Sequence, residues 1–278
     1  MTTESMEVTL PTGIRIGFDV AGGGDPLVLI HGTGCDRAFW DLQVPVYAEQ
    51  WQVISVDLRG SGRSDVVTDV STYSTELMAD DLAALIDHLG VGPAHVSGHS
   101  LGSCVAQQMA LRHPDHVRSI QLHATWGRAD TWLQRAFIGT TRFPLELGDL
   151  QTTFKTVMMW MMSADYLQTW QPEVVAGMVR SCFIDNPHLQ ANQGMLGHLH
   201  ADAVHDCMTA LPTIKTPTLV TAGESDVLIP SRYGEAVAEL IPGAAFHLFA
   251  GSRASHAFNW ELEPEFASVT TQFLNLLA

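Results

Sequence analysis

Ser100 stands in Gly98-His99-Ser100-Leu101-Gly102, the spacing Gly-x-Ser-x-Gly. An apolar stretch, Ala94-His95-Val96-Ser97, precedes it, and a helical pattern, Val105-Ala106-Gln107-Gln108-Met109-Ala110, follows. Between a strand and a helix this motif makes a sharp, strained turn that lifts the serine hydroxyl above a sheet edge. The glycines are needed because a side chain at either place would collide with the neighbouring strand or helix. A serine hydroxyl is a poor nucleophile until a base takes its proton. The chain must therefore also supply a base, an acid to orient it, and donors for an oxyanion.

The base must come from 13 histidines. His95 and His247 fall within strand-like segments and read as packed. His99 is in the elbow and points away from the nucleophile. His198 and His200 lie in a helical stretch with no clear carboxylate or cysteine partner, so they read as surface or pocket residues and no metal site is expected. His256 alone occupies a loop after the last strand-like segment. For the acid, Asp226 lies in the loop Gly223-Glu224-Ser225-Asp226, with Glu224 nearer the strand. Asp130, after the preceding strand, is a further alternative. Cys35 and Cys104 lie near these motifs but not at the elbow apex, and read as packed thiols. Asp57 and Arg59 read as loop organisers.

These residues are placed by an alternation of strands and helices. Met6–Leu10 and Ile14–Val20 alternate in polarity around Pro11-Thr12-Gly13, a hairpin-like start. Buried strands are expected at 27–30, 53–56, 94–97, 117–123, 218–221 and 245–249. Helices are expected at 39–50, 75–89, after Ser100, and from about 264 to 277. On the 75–89 helix, Leu77, Leu82, Leu85, Ile86 and Leu89 share one face. Such alternation implies a mostly parallel sheet with helices on both faces. Chemistry in these sheets lies at the carboxyl ends of strands, where His31, Asp57, Ser100 and the residues after Thr221 and Phe249 all fall. From about Trp126 to Cys207 the alternation gives way to helical sequence rich in Met, Trp and Phe, which would lie over that edge as a lid. The expected division is a core of 1–125 and 208–278 with a helical cap of 126–207.

Five segments together resemble the α/β-hydrolase family. His31-Gly32-Thr33-Gly34 looks like its oxyanion loop, and Asp57-Leu58-Arg59-Gly60-Ser61-Gly62-Arg63-Ser64 like its Asp-x-Arg-Gly-x-Gly-x-Ser signature. The elbow, the acid loop ending in Asp226 and the His256 segment complete the family's chain order of Ser, acid, His. The resemblance covers nearly all of the chain outside the lid. It is nearest to the bacterial esterase, enol-lactonase and cofactor-free haloperoxidase group. Two departures stand out: Ser103-Cys104, where many relatives carry a small pair, and Arg253-Ala254-Ser255 before His256, where glycine is common. The resemblance implies an α/β-hydrolase fold with a sheet of about eight strands, a Ser100–His256–Asp226 triad, and oxyanion donors at the Thr33 and Leu101 N–H groups. It implies cleavage of a small to medium, largely apolar ester or lactone without cofactor. Carbon–carbon bond hydrolysis, perhydrolysis, or a receptor role for the same pocket are the alternatives.

Composition narrows the partners. The chain has 278 residues, 46% hydrophobic and 16% charged, with a net charge of −16. That balance argues against a nucleic-acid partner, since phosphate neutralisation needs a basic face. No apolar run is long enough for a membrane span, and the opening MTTESMEVTL lacks the pattern of a signal peptide. The four cysteines, Cys35, Cys104, Cys182 and Cys207, show no C-x-x-C pairing and suit a reducing cytoplasm. A small molecule is the expected partner, and self-association is left open. For the pocket, the expected residues are His31, Gly32, His99, Trp126, Arg128, Trp132 and Trp160, with Arg128 able to meet a substrate carboxylate. Phe137, Phe143, Met158, Met159, Met161, Met162 and Trp170 are further apolar residues of the lid, divided between its packing and the pocket.

Overall fold

The computed structural model describes residues 3–169 and 192–277. Trp170 and Cys182 lie outside the described residues. One eight-stranded sheet runs in the order β1-β2-β4-β3-β5-β6-β7-β8. The strands are β1 (Thr3–Thr9), β2 (Arg15–Gly22), β3 (Asp25–Ile30), β4 (Trp51–Val56), β5 (Ala94–His99), β6 (Val117–His123), β7 (Thr218–Gly223) and β8 (Ala245–Phe249). β1 pairs antiparallel with β2, and β2 with β4; every later pairing is parallel. Parallel strands covered on both faces read as unbroken apolar runs. β3 shows this: Leu27, Val28, Leu29 and Ile30 are all at most 1% exposed.

The helix Thr75–Leu89 buries Met78, Leu82, Leu85 and Ile86 against the sheet. The Ser74 hydroxyl accepts from the Leu77 N–H at 3.2 Å and caps its first turn. Leu77 itself is 38% exposed, contrary to the expected face. Being in the first turn, it overhangs the core edge. The expected helix at 39–50 is two short pieces, a 3₁₀ turn Arg37–Trp40 and a single α turn Val44–Tyr47. Pro45 lacks the N–H that a continuous helix through this segment would use.

Between β6 and β7 the described chain is helical. It comprises Thr131–Leu133, a π turn Gln134–Ile138, Gly139–Glu146, Leu150–Met161, Ala164–Thr169 and Asn192–Val204. The two ends of this insert are joined. Cys207 N–H donates to the Gly127 carbonyl at 2.8 Å, and Ala129 N–H to the His205 carbonyl at 3.3 Å.

The helix Asn192–Val204 is seated on the sheet edge by residues a turn apart. A Cβ on Gly194 would lie 1.9 Å from the Gly60 carbonyl oxygen, so only glycine permits this approach. His198 Nε2 lies 2.8 Å from the Arg59 carbonyl. Arg59 is in turn fixed by a buried bidentate pair with Asp81, at 2.7 and 2.9 Å. Asp202 follows one turn further and meets the loop after β3.

Candidate active site

Ser100 caps the start of the helix Leu101–Arg112 with φ 54° and ψ −122°, a conformation that L-residues avoid. Backbone contacts hold it there. Ser100 N–H donates to the His123 carbonyl at 2.9 Å, and the Ser100 carbonyl accepts from Ser103 N–H at 2.8 Å and Ser103 Oγ at 2.6 Å. Ser103, a departure from the family pattern, thus braces the elbow. A Cβ on Gly98 would stand 2.1 Å from the Gly102 carbonyl oxygen, and one on Gly102 2.3 Å from the Ile30 carbonyl oxygen. The first glycine lets strand and helix fold back on each other; the second lets the helix start lie on β3.

His256 lies on the loop after β8, and Asp226 on the loop after β7. The His256 Nδ1 is 2.8 Å from Asp226 Oδ2. The other carboxylate oxygen, Oδ1, accepts from the Leu228 N–H at 2.9 Å and the Ile229 N–H at 2.8 Å. Backbone donors therefore fix one oxygen and leave the second for the imidazole. With Nδ1–H donating to the carboxylate, the lone pair is left on Nε2. His256 is tied to the elbow by its own backbone: its carbonyl accepts from His99 Nε2 at 2.9 Å, and the two rings pack 4.9 Å apart. Residues 99 and 100 are adjacent, so this tie brings the backbone of His256 to the elbow that carries Ser100. His256 and Ser100 are both buried, at 3% and 8% exposure.

The other acids are engaged elsewhere. Glu224 Oε2 accepts from Gly251 N–H at 2.7 Å and joins the loops after β7 and β8. Asp130 caps Thr131–Leu133, accepting from Leu133 N–H at 3.1 Å. On the opposite side of Ser100 runs the loop after β3. A Cβ on Gly32 would lie 3.1 Å from the Ser100 Cβ, so this backbone is in contact with the serine. Thr33 follows directly. Leu101 opens its helix, where an N–H has no intrahelical acceptor.

Comparison with known proteins identifies the family. A family model described as the alpha/beta hydrolase fold matches residues 25–260. The chain belongs to the α/β-hydrolase family. A protein named "Putative carbamate hydrolase RutD", from Azorhizobium caulinodans, is 32% identical over 227 residues, covering 82% of this chain and 83% of its own. A thermophilic esterase from Thermogutta terrifontis has TM-score 0.83 at 26% identity, covering 99% of each chain. The enol-lactonase from Burkholderia xenovorans LB400, with TM-score 0.85 at 23% identity over 97% of this chain and 100% of its own, shares the fold.

In this hydrolase a small cavity is lined by Ser100, Trp126, Leu133, Phe137, Ile138, Asp202, Leu228 and Ile229. The π turn directs Phe137 and Ile138 to it, and the backbone that clamps Asp226 also supplies Leu228 and Ile229. Of the expected pocket residues, Trp126 lines this cavity and Gly32 adjoins Ser100. The rest require correction. His31 is fully buried: its Nε2 accepts from Leu58 N–H at 3.1 Å, and its Nδ1 lies 2.8 Å from the Gly32 carbonyl. It braces the loops after β3 and β4, and burial pushes its pKa down. His99 is spent on the His256 carbonyl, and its burial likewise holds it well below the usual histidine range. Arg128 is 63% exposed in its side chain and faces Asp206 at 3.8 Å. Trp132 is 45% exposed and meets Trp160 edge-on at 6.3 Å, both outside this cavity.

Five lining residues were not among the expected pocket residues: Leu133, Ile138, Asp202, Leu228 and Ile229. For Asp202 a signal existed. Gly194, His198 and Asp202 recur every fourth residue, the spacing of one helix face. No group of three or more potential metal ligands occurs among the described residues. None of the described helices is long and apolar enough to cross a membrane.

Proposed function

We propose that this hydrolase cleaves a carboxylic ester or lactone of a small to medium, largely apolar substrate through a Ser100–His256–Asp226 triad. The observation that carries the reading is the Asp226 clamp: one carboxylate oxygen on two backbone N–H groups, the other 2.8 Å from His256 Nδ1. In this reading His256 Nε2 takes the Ser100 proton as Oγ attacks the acyl carbonyl. Asp226 holds the tautomer and stabilises the imidazolium. The Thr33 and Leu101 N–H groups receive the oxyanion, an interaction in which one donor is worth about 2.7–4 kcal/mol. The tetrahedral intermediate collapses as the imidazolium protonates the leaving oxygen. Water then enters by the same route and releases the acid. Each step uses groups of the chain itself, so the reading calls for no cofactor.

A lactone is a cyclic ester and asks nothing further of the triad. The likeness to the Thermogutta esterase supports ester chemistry. The relative named for carbamate hydrolysis supports a second reading, a carbamate, which is attacked at the same kind of carbonyl. The insert from 126 to 207 serves as the cap that shapes the acyl site, and the cytoplasm is the proposed compartment. A fluorophosphonate probe tests the proposal. One adduct per chain is expected on Ser100, absent in Ser100→Ala, together with turnover of short-chain esters. A folded wild-type protein left unlabelled would contradict it.

A further inference from the structure

The cavity beside Ser100 is lined mostly by Leu, Ile, Phe and Trp, yet it contains a carboxylate. Asp202 is 3% exposed. Its Oδ2 accepts from the Thr33 hydroxyl at 2.7 Å. Its Oδ1 is buried without a hydrogen-bond partner. A second polar atom of a lining side chain, the Trp126 indole Nε1, is also buried without one. Buried polar atoms are nearly always paired, and an exception calls for an explanation. The cost here is real, because burial raises the Asp202 carboxyl to about 7 despite the Thr33 bond.

A tie between the insert and the loop after β3 accounts for only one of the two oxygens. A hydroxyl-bearing side chain at 202 could make that tie without burying a carboxyl. The unused Oδ1 is an acceptor held one side chain away from Thr33, whose backbone adjoins the expected oxyanion position. Asp202 lines the same cavity as Ser100, where the scissile carbonyl of a bound substrate would lie in the serine-hydrolase reading.

We propose that Asp202 is a specificity residue, whose Oδ1 accepts a hydrogen bond from an N–H or O–H on the substrate atom attached to, or next to, the scissile carbonyl. The inference rests on the serine-hydrolase reading and adds a substrate class to it: acyl groups with a donor beside the carbonyl, in place of plain alkyl acyl groups. Trp126 Nε1–H offers the complementary donor to an oxygen of the same substrate. A site built to bond a polar group discriminates strongly against an analogue lacking it, because its own buried group is then left unpaired.

Two isosteric pairs of p-nitrophenyl substrates test this. The 2-hydroxypropanoate and 2-methylpropanoate esters exchange an O–H for a methyl. The N-methylcarbamate and propanoate exchange an N–H for a methylene. The readout is kcat/KM, taken from p-nitrophenol release and divided by the uncatalysed rate, so that slow release of a carbamoyl-enzyme does not intrude. Wild type should prefer the donor-bearing member of at least one pair by tenfold or more, and the pair that shows it identifies the donor as O–H or N–H. Asp202→Val and Asp202→Asn should each bring that ratio to within about threefold of unity. Asn keeps the size of the side chain, and its amide oxygen can still receive the Thr33 hydroxyl, so it guards against misfolding of Val. Equal preference in wild type would overturn the proposal. So would variants that slow both members of a pair alike, since that marks Asp202 as only a brace for Thr33. Fluorophosphonate labelling of Ser100 runs in parallel. Labelled protein without a donor preference contradicts this inference alone, whereas unlabelled wild type removes the hydrolase reading and this inference with it.

Discussion

At the carboxyl end of β5 the backbone sets the site, whereas the insert reaches the same cavity through side chains. Gly98, Gly102 and the strained Ser100 fix the elbow backbone, and backbone N–H groups of Leu228 and Ile229 orient Asp226. On the insert side, Trp126, Leu133, Phe137, Ile138 and Asp202 line the cavity. In the proposed function, reaction type follows from backbone geometry, which tolerates few residues, and substrate choice from side-chain chemistry, which tolerates many. Glu261 joins the two regions. Its buried carboxylate accepts from Ser163 N–H of the insert at 2.8 Å and from the Ser255 hydroxyl beside His256 at 2.7 Å.

The largest effects should fall on the strand ends. Asp226→Asn should lower kcat by roughly 10⁴ while leaving the fold intact, because the wrong tautomer would face the serine. Asp130→Asn should stay within about threefold of wild type. Steady-state kinetics on one ester decide between them, and the reverse result would reassign the acid. Next, Gly102→Ala should lower stability by about 1–3 kcal/mol or more, since its Cβ would stand 2.3 Å from a β3 carbonyl oxygen. Chemical denaturation reads this directly, and an unchanged midpoint would break the claim that the elbow is fixed by backbone contact.

The same contrast marks what was legible. The elbow, the strand and helix that flank it and the Asp226–His256 pairing follow from residue types that few other arrangements tolerate. The helix expected at 39–50 did not form, because apolar spacing hid the interruption at Pro45. The pocket was the poorest reading. His31 and His99 carry ligand-like side chains but spend them on loop carbonyls, and tertiary hydrogen bonds of that kind leave no local pattern. Arg128 points away because the paired ends of the insert turn it towards Asp206. Asp202 was passed over although Gly194, His198 and Asp202 form one helix face, since a lone acid on a helix is usually solvated.

A smaller effect sharpens the insert side. Asp202→Asn should stabilise the protein at pH 8 by up to about 4 kcal/mol, because a buried carboxyl whose pKa rises to about 7 opposes its own ionisation. Its folded pKa lies above its unfolded value near 3.8, so this group's contribution to stability is fully present only below about pH 4 and is lost as pH rises towards 7. The variant's advantage should grow across that window and level off above it. Neutral buried His198 and His205, lowered to about 3 and about 4, weaken both proteins in acid, so the difference between the two is the quantity to read. A pH-independent difference would contradict the assignment. The smallest effect belongs to Arg128→Ala, which should change kcat/KM for neutral esters by less than twofold.

The central claim is that a backbone-fixed serine forms a covalent intermediate. Rapid quenching of turnover on an activated ester, followed by mass analysis of the Ser100 peptide, tests it most directly. An acyl adduct on Ser100 should appear within the first turnover, accumulate to no more than one per chain, and be absent from Ser100→Ala. Steady turnover with Ser100 unmodified throughout would contradict the account.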